Sequence, residues 1–279
     1  MKRWLIALLL VMTAGTAFGG STGTPEAPAA GTPSAAPSPA PANPHDPPLG
    51  IFIPEDRYHY RFGWQGIPAF DGTIQATRHD DPRPWYHFEL EGKTRRWLDV
   101  IYKMRDKVDA YVDGVDYLPH LFFARLRAPR DNTDLVVKFD HRRRVAHARW
   151  TTNGKTKTRE IPFHRANDPV TALYMLESLR KPGDEISFEV VNGKRLYRIG
   201  LRVTGRERVK VKAGSFDTLK IEPSLTRPDK PDYKPKFKRM TVWVTDGATR
   251  IPVKLTSRVF IGSVSGELVK VTPRPRRGA

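Results

Sequence analysis

The amino-acid sequence predicts a mainly β protein: a strongly curved antiparallel sheet, closed as a partial barrel or folded sandwich-like, with one plug helix and few short helices. Three observations carry that expectation. The stretch "TVWVTDGATRIPVKLTSRVFIGSVSGELVKV" reads as three strands and two turns, apolar on one face and charged on the other. The stretch "EISFEVVNGKRLYRIGLRV" reads as a hairpin about Asn192-Gly193, a strong turn signal because both residues tolerate positive φ. One segment alone, "NDPVTALYMLESLRKPG", has the pattern of a helix that is apolar around most of its girth and must therefore be covered.

In chain order, Lys2 and Arg3 precede an apolar run from Trp4 to Met12 and small residues from Thr13 to Gly20. This is the layout of a secretory signal peptide over residues 1–20, with an apolar run too short to span a membrane. Residues 21–48, rich in Pro, Ala, Ser, Thr and Gly, have little to bury and read as a disordered linker. Residues 49–279 are the right size for a single β domain. Its first strands are expected at Tyr58–Trp64, Thr73–Arg78 and Trp85–Glu91. From Arg96 to Met104, the spacing of Trp97, Val100, Ile101 and Met104 predicts a helical turn with those four on one apolar stripe. "DAYVDGVD" reads as a solvated turn: Asp109, Asp113 and Asp116 miss the spacing of a calcium loop.

Further strands follow at Phe122–Arg127, Leu135–Phe139 and Val145–Trp150. The plug helix then starts at Asp168 as N-cap with Pro169 in its first position, and stops at Pro182-Gly183, leaving a narrow polar stripe around Thr171, Glu177 and Ser178. In the Asn192-Gly193 hairpin, a two-residue turn sets Phe188 against Tyr197 and Ile186 against Ile199. Strands at Glu207–Lys212, Phe216–Glu222 and Thr241–Thr245 lead to the closing hairpin. A two-residue turn at Gly262-Ser263 there sets Ile261 against Val264, Val259 against Gly266, Ser257 against Leu268 and Arg258 against Glu267.

A series of motifs in this order makes the chain resemble the DUF3108 family, exported bacterial proteins of unknown function. They are "YRFGWQGIPAFDG", Leu118-Pro119, "DPVTALYMLESLR", "VTGRERVKVKAGSFDTLKIEP" and, around Trp243, Asp246, Arg250 and Pro252, "VWVTDGATRIPVKL". Asp168, Thr171, Ala172, Leu173 and Tyr174 carry the helix motif, and Gly205, Glu207, Val209, Gly214, Phe216 and Pro223 the next one. Two departures are Asp71 ahead of Gly72, where members place Gly directly after the Ala, and Thr245 in place of a frequent Ser. The resemblance implies a fold and an exported address, not an activity. The final strand-turn-strand is also similar to periplasmic lipoprotein carriers, whose curved sheet wraps an apolar cavity; that is a likeness of fold alone.

The chemistry of the residues narrows the function. With no cysteine there is no thiol nucleophile, no disulfide and no lipidation site, so the expected product is periplasmic or secreted, soluble after signal cleavage and not lipidated. The eight histidines form no His-Glu pair at zinc-hydrolase spacing, and "HDD" at His79–Asp81 sits in a turn beside Pro82, so no metal or other cofactor is expected. No phosphate-cradling glycine loop or Gly-x-Ser-x-Gly elbow appears, and no catalytic residue is assigned.

The chain carries 48 Lys and Arg against 30 Asp and Glu. For an exported protein such charge fits lipid phosphates and acidic envelope polymers, not nucleic acid. The candidate ligand-binding residues are Arg142, Arg143, Arg144 and Arg149 in "HRRRVAHAR", Tyr233 and Phe237 in "KPDYKPKFKR", Tyr174 on the plug helix, and Trp243, which faces away from Val242 and Val244. They point to a non-enzymatic envelope protein that binds an amphipathic anionic lipid or glycolipid, with peripheral membrane contact and an envelope protein partner as further expectations. The alternatives are an enzyme acting on acidic envelope polysaccharide, with two carboxylates across a cleft, and an assembly module without a small ligand.

Overall fold

The computed structural model describes residues 56–273 apart from 236, 248, 260 and 261; the segments expected to be a signal peptide and a linker, and the residues expected to begin the domain, lie outside the described residues. One sheet of fifteen strands dominates. Its first half comprises β1 (Arg57–Trp64), β2 (Ile67–His79), β3 (Trp85–Thr94), β4 (Arg105–Asp113), β5 (Pro119–Ala128), β6 (Asp131–Asp140), β7 (Val145–Thr152) and β8 (Lys155–Pro162). The second half comprises β9 (Ala166–Asn167), β10 (Glu185–Val191), β11 (Leu196–Val211), β12 (Gly214–Thr226), β13 (Phe237–Thr245), β14 (Pro252–Val259) and β15 (Ser263–Thr272). A one-turn helix α1 (Arg96–Asp99) follows β3, and the plug is a 3₁₀ helix over Thr171–Ser178.

The chain starts in the middle of the sheet, meanders out to β8 at one edge, then resumes at β9 on the other edge and meanders back until β15 pairs with β1. That route forces curvature. Laid flat, the two edges would stand about 67 Å apart at the usual spacing between strands. The link from β8 to β9 is residues 163–165 alone, which reach roughly 14 Å when extended. The sheet must therefore wrap until its edges meet, as a nearly closed barrel.

Contacts across the seam hold it there. The His164 amide, in the link itself, donates to a Glu189 carboxylate oxygen of β10 at 2.8 Å. Arg159 donates to Lys194 O. Gly193, at φ +90°, is pressed against Leu135, where a Cβ would sit 2.3 Å from the leucine methyl.

Period-two alternation fills the interior. Tyr58, Tyr60 and Phe62 of β1, Phe88 and Leu90 of β3, Val108, Ala110 and Val112 of β4, and Phe122 and Ala124 of β5 all face inward and are buried. Ion pairs occupy the outer face of the same strands, such as Arg61–Asp71 and Lys107–Glu89. Where the sheet bends, the Phe62 ring lies on Gly266, whose added Cβ would stand 2.6 Å from it. We expect Gly266→Ala to lower stability by about 1–3 kcal/mol, read as a fall in the urea midpoint, because the added methyl collides with the ring and must displace it from its packed position.

A bulge at Thr204 exchanges the faces of β11. Tyr197, Ile199, Leu201 and Val203 pack under the plug helix, whereas Val209 and Val211 join a separate cluster with Tyr58, Leu268 and Trp243. The tip of the β11–β12 hairpin folds back onto the barrel, its Ala213 amide bonding Leu268 O.

Several sequence expectations need correction. "DAYVDGVD" is no isolated turn: Asp109–Asp113 belongs to the central strand β4, and only the residues after Asp113 turn, capped by its carboxylate. Strand β8 was not foreseen, because its exposed "KTKTRE" has no apolar face to reveal it. The plug is 3₁₀ rather than α, and its expected polar stripe is not wet, since Thr171 and Glu177 are buried.

Both hairpin registers differ too. The Asn192 carboxamide oxygen accepts from the Lys194 and Arg195 amides, which lengthens the turn and sets Phe188 against Ile199 and Ile186 against Leu201. In the last hairpin the Val259 amide donates to Gly262 O, so Gly262 closes the turn instead of centring it. Val264 then faces Ser257, Gly266 faces Leu255 and Glu267 faces Lys254. Arg258 pairs with Ser263, and Ile261, the partner expected for Val264, lies outside the described residues.

Candidate functional site

The plug helix covers the inner faces of β10–β14, and its fit is incomplete. Asp168 fixes its start: the carboxylate Oδ1 accepts from the Val170 and Thr171 amides at 2.6 and 2.9 Å. Arg250 fixes its end, donating from Nε to Leu179 O at 3.0 Å while Nη1 holds Thr245 O and Gly247 O. Between these clamps the helix lays Ala172, Leu173 and Leu176 toward the sheet.

An apolar cavity remains between them, lined also by Tyr60, Phe62, Phe188, Ile199, Ile221, Met240, Val242 and Leu255. It holds about 70 Å³ of interior room and opens to the outside at one mouth. Lys254 borders it between Val253 and Leu255, but its ammonium lies on the other face of the strand, 5.1 Å over the Trp243 ring. An apolar wall open on one side suits a greasy ligand.

Buried polar groups cluster at the start of the plug. The Asp168 Oδ2, Asn167 Nδ2 and Tyr174 hydroxyl are buried with no protein partner among the described residues. Burial pushes Asp168 up to about 7 against the amide hydrogen bonds that oppose it, and pushes the Tyr174 phenol well up. Burial also pushes Glu177 up to about 7, with Arg180 and Arg250 opposing. These two raised carboxyls do not make a glycosidase pair. Nine residues apart along a helix rising about 2.0 Å per residue, they stand roughly 18 Å from each other, far beyond the spans such chemistry uses.

The structure disperses the residues selected from sequence. Arg142, Arg143 and Arg144 form the exposed β6–β7 turn, Arg144 at φ +55°, and Arg149 projects from the outer face of β7. Tyr174 is packed edge-on against Phe88 at 5.3 Å and beside Tyr117. Tyr233 meets Tyr197 edge-on with the Arg227 guanidinium over its ring, and Phe237 is buried opposite Val259. Trp243 does face away from Val242 and Val244, but it is buried, with its indole N–H on Glu207 and Lys254 and Lys220 over its ring. None of the eight lines the apolar cavity. The cavity residues were individually legible as inward-facing strand positions, but nothing in the sequence said which of them would be left without a neighbour.

Two further features were not foreseen. A polar trough of about 710 Å³ crosses the outer face of β1–β5, lined by Arg57, Arg61, Lys93, Arg105, Lys107, Arg125 and Arg127. Most of these cations already hold carboxylates, as in Arg105 with Asp99 and Arg127 with Asp134. His87, Glu89 and Asp109 come within reach of a common metal position, but the Lys107 ammonium bonds Glu89 at 2.9 Å and lies 3.8 Å from Asp109. His79, of the "HDD" run, instead stacks on Trp85 at 4.0 Å.

Fold and site together define a class: a barrel-like antiparallel sheet, plugged by one helix over an apolar cavity. The chain belongs to the DUF3108 family, described as a protein of unknown function, whose model matches residues 57–269. Among solved structures it is similar to a beta-barrel-like protein of the domain of unknown function DUF1849 from Brucella abortus. The TM-score there is 0.55 at 11% identity, covering 80% of this chain and 98% of that one. A protein with a YmcC-like fold from Bacteroides fragilis covers 79% of this chain and 96% of its own at 8% identity, with a TM-score of 0.37. No curated protein matches the chain.

Proposed function

We propose that this is an exported, non-enzymatic envelope protein that binds an amphipathic anionic molecule, its apolar part in the cavity beneath the plug helix. The cavity itself carries the reading, with apolar walls of Phe62, Leu173, Leu176, Phe188 and Leu255, and the excess of 48 Lys and Arg over 30 Asp and Glu favours a negative end on the ligand. The walls offer an apolar chain what water cannot. The signal-peptide pattern of residues 1–20 supports the exported address, and the engaged carboxylates of the outer trough support a binding role over polysaccharide cleavage.

The test is extraction of the protein purified from its own host, with mass spectrometry of the organic phase. A stoichiometric lipid or glycolipid bearing phosphate or carboxylate is expected, and Ala172→Phe, which fills the cavity from the helix side, should lose it. Lipid-free protein that also fails to bind a fluorescent fatty acid would defeat the reading.

A further inference from the structure

Six large apolar residues are exposed among the described residues, and five of them share one end of the sheet. Trp64 and Ile67 form the cross-strand pair at the β1–β2 tip, 43% and 55% exposed. Trp97, Val100 and Ile101, 50%, 89% and 68% exposed, project from the α1 turn. The two groups touch: the Trp97 indole N–H donates to Pro68 O at 2.9 Å, and the Arg95 amide to Ala69 O. Val115, the sixth, is in the β4–β5 turn at the opposite end.

The α1 segment was expected to bury the stripe of Trp97, Val100, Ile101 and Met104, and the structure inverts it. Leu98, Tyr102 and Met104 face the core, and the other three face out. A short turn that is apolar inside and outside has no folding reason for its outer set, since that surface costs solubility and buries nothing.

Charge around the patch indicates its occupant. Lys93, Arg96 and Lys103 flank it and are exposed. The acid within the turn, Asp99, is taken up by Arg105 through two hydrogen bonds of 3.0 and 2.6 Å. Tryptophans beside aliphatic tips, ringed by exposed cations, match the boundary between acyl chains and anionic headgroups.

The geometry points to the β1–β2 tip and the α1 turn as a membrane-docking surface that inserts Trp64, Ile67, Trp97, Val100 and Ile101 into an anionic lipid surface. This goes beyond the cavity reading and stands without it. The two sites are nonetheless neighbours: Phe62, on the cavity wall, precedes Trp64 by two residues of the same strand, about 7 Å.

The experiment is cosedimentation of the purified protein with vesicles of phosphatidylethanolamine and phosphatidylglycerol, alongside tryptophan quenching by lipids brominated in their acyl chains. Binding and quenching are expected, with weaker binding to pure phosphatidylcholine. Val100→Asp and Ile101→Asp, at positions that fold nothing, should each weaken binding about tenfold or more while the melting temperature holds, given the cost of carrying a carboxylate into the headgroup boundary. Val115→Asp should leave binding unchanged. Ala172→Phe should retain it as well, so that a failed cavity and a failed docking surface are told apart. Unquenched tryptophans, or undiminished binding by Ile101→Asp, would overturn the proposal. So would a self-associating protein whose dimer Ile101→Asp abolishes, which would assign the patch to a second copy.

Discussion

Arg250→Met is expected to destabilise the protein by about 3–5 kcal/mol, seen as a lowered urea midpoint with little change in slope. The guanidinium is buried, and three carbonyls depend on it: Leu179 O at the end of the plug, and Thr245 O and Gly247 O in the β13–β14 turn. Methionine fills much of the volume but offers no donor, so these acceptors lose their bonds in a site water reaches poorly. Asp246, 3.7 Å from the same guanidinium, keeps Arg206 at 2.7 Å and is not left alone. Arg250→Lys should recover less than half of the loss, since one ammonium cannot reproduce the planar fork. A change of under about 1 kcal/mol for Arg250→Met would show that the plug is held by packing alone. Because this residue holds the last carbonyl of the helix, the same variant should also loosen the cavity roof and raise hydrogen exchange in residues 171–179.

The second large effect is a dependence on pH centred on Asp168. Burial raises this acid from 3.8 to about 7 in the folded protein. A carboxyl whose folded pKa lies above its unfolded one binds protons preferentially when folded. Its contribution is complete at low pH and is lost as the pH rises through about 7. The shift corresponds to roughly 4 kcal/mol between acid and mildly alkaline solution. Glu177 acts in the same direction.

Asp168→Asn keeps an oxygen for the Val170 and Thr171 amides and cannot ionise. It should match the parent near pH 4 and exceed it near pH 8, with urea midpoints nearly flat between. A parent stability that climbs from pH 5 to 8 in step with the variant would contradict a neutral Asp168. The orphaned Asp168 Oδ2, beside a capping Oδ1 that is fully used, is why the proton is retained: the amides satisfy one oxygen only.

These two groups also mark how far the sequence was legible. "DPVTALY" announced a helix start, and Asp168 does cap it, but the letters do not reveal that the cap is buried and protonated. "TRIPVKL" announced a strand after a turn, yet Arg250 finds its acceptor 71 residues away at Leu179. The hairpins show the same division. The partner of Phe188 is two residues from the expected one, and that of Val264 four. Both errors are even numbers, so each side chain stays on its predicted face.

The α1 turn went the other way because the spacing of Trp97, Val100 and Ile101 defines a stripe without saying which side the core is on. Met104, placed on that stripe, sits beyond the helix and turns inward. The eight candidate ligand residues were chosen for chemistry, and the fold scattered them; the cavity wall consists of ordinary strand residues that no motif distinguishes.

By itself the sequence determined a mainly β architecture, which residues turn inward, and where one covered helix interrupts the strands. Alternation and capping act between near neighbours, so their physics is written locally. The tertiary structure alone decided that the sheet's edges meet across residues 163–165, that a cavity survives beneath the plug, and that a second apolar surface faces outward at one end. Those outcomes depend on how distant faces fill or fail to fill the space between them, a property of volumes in contact that no stretch of chain carries alone.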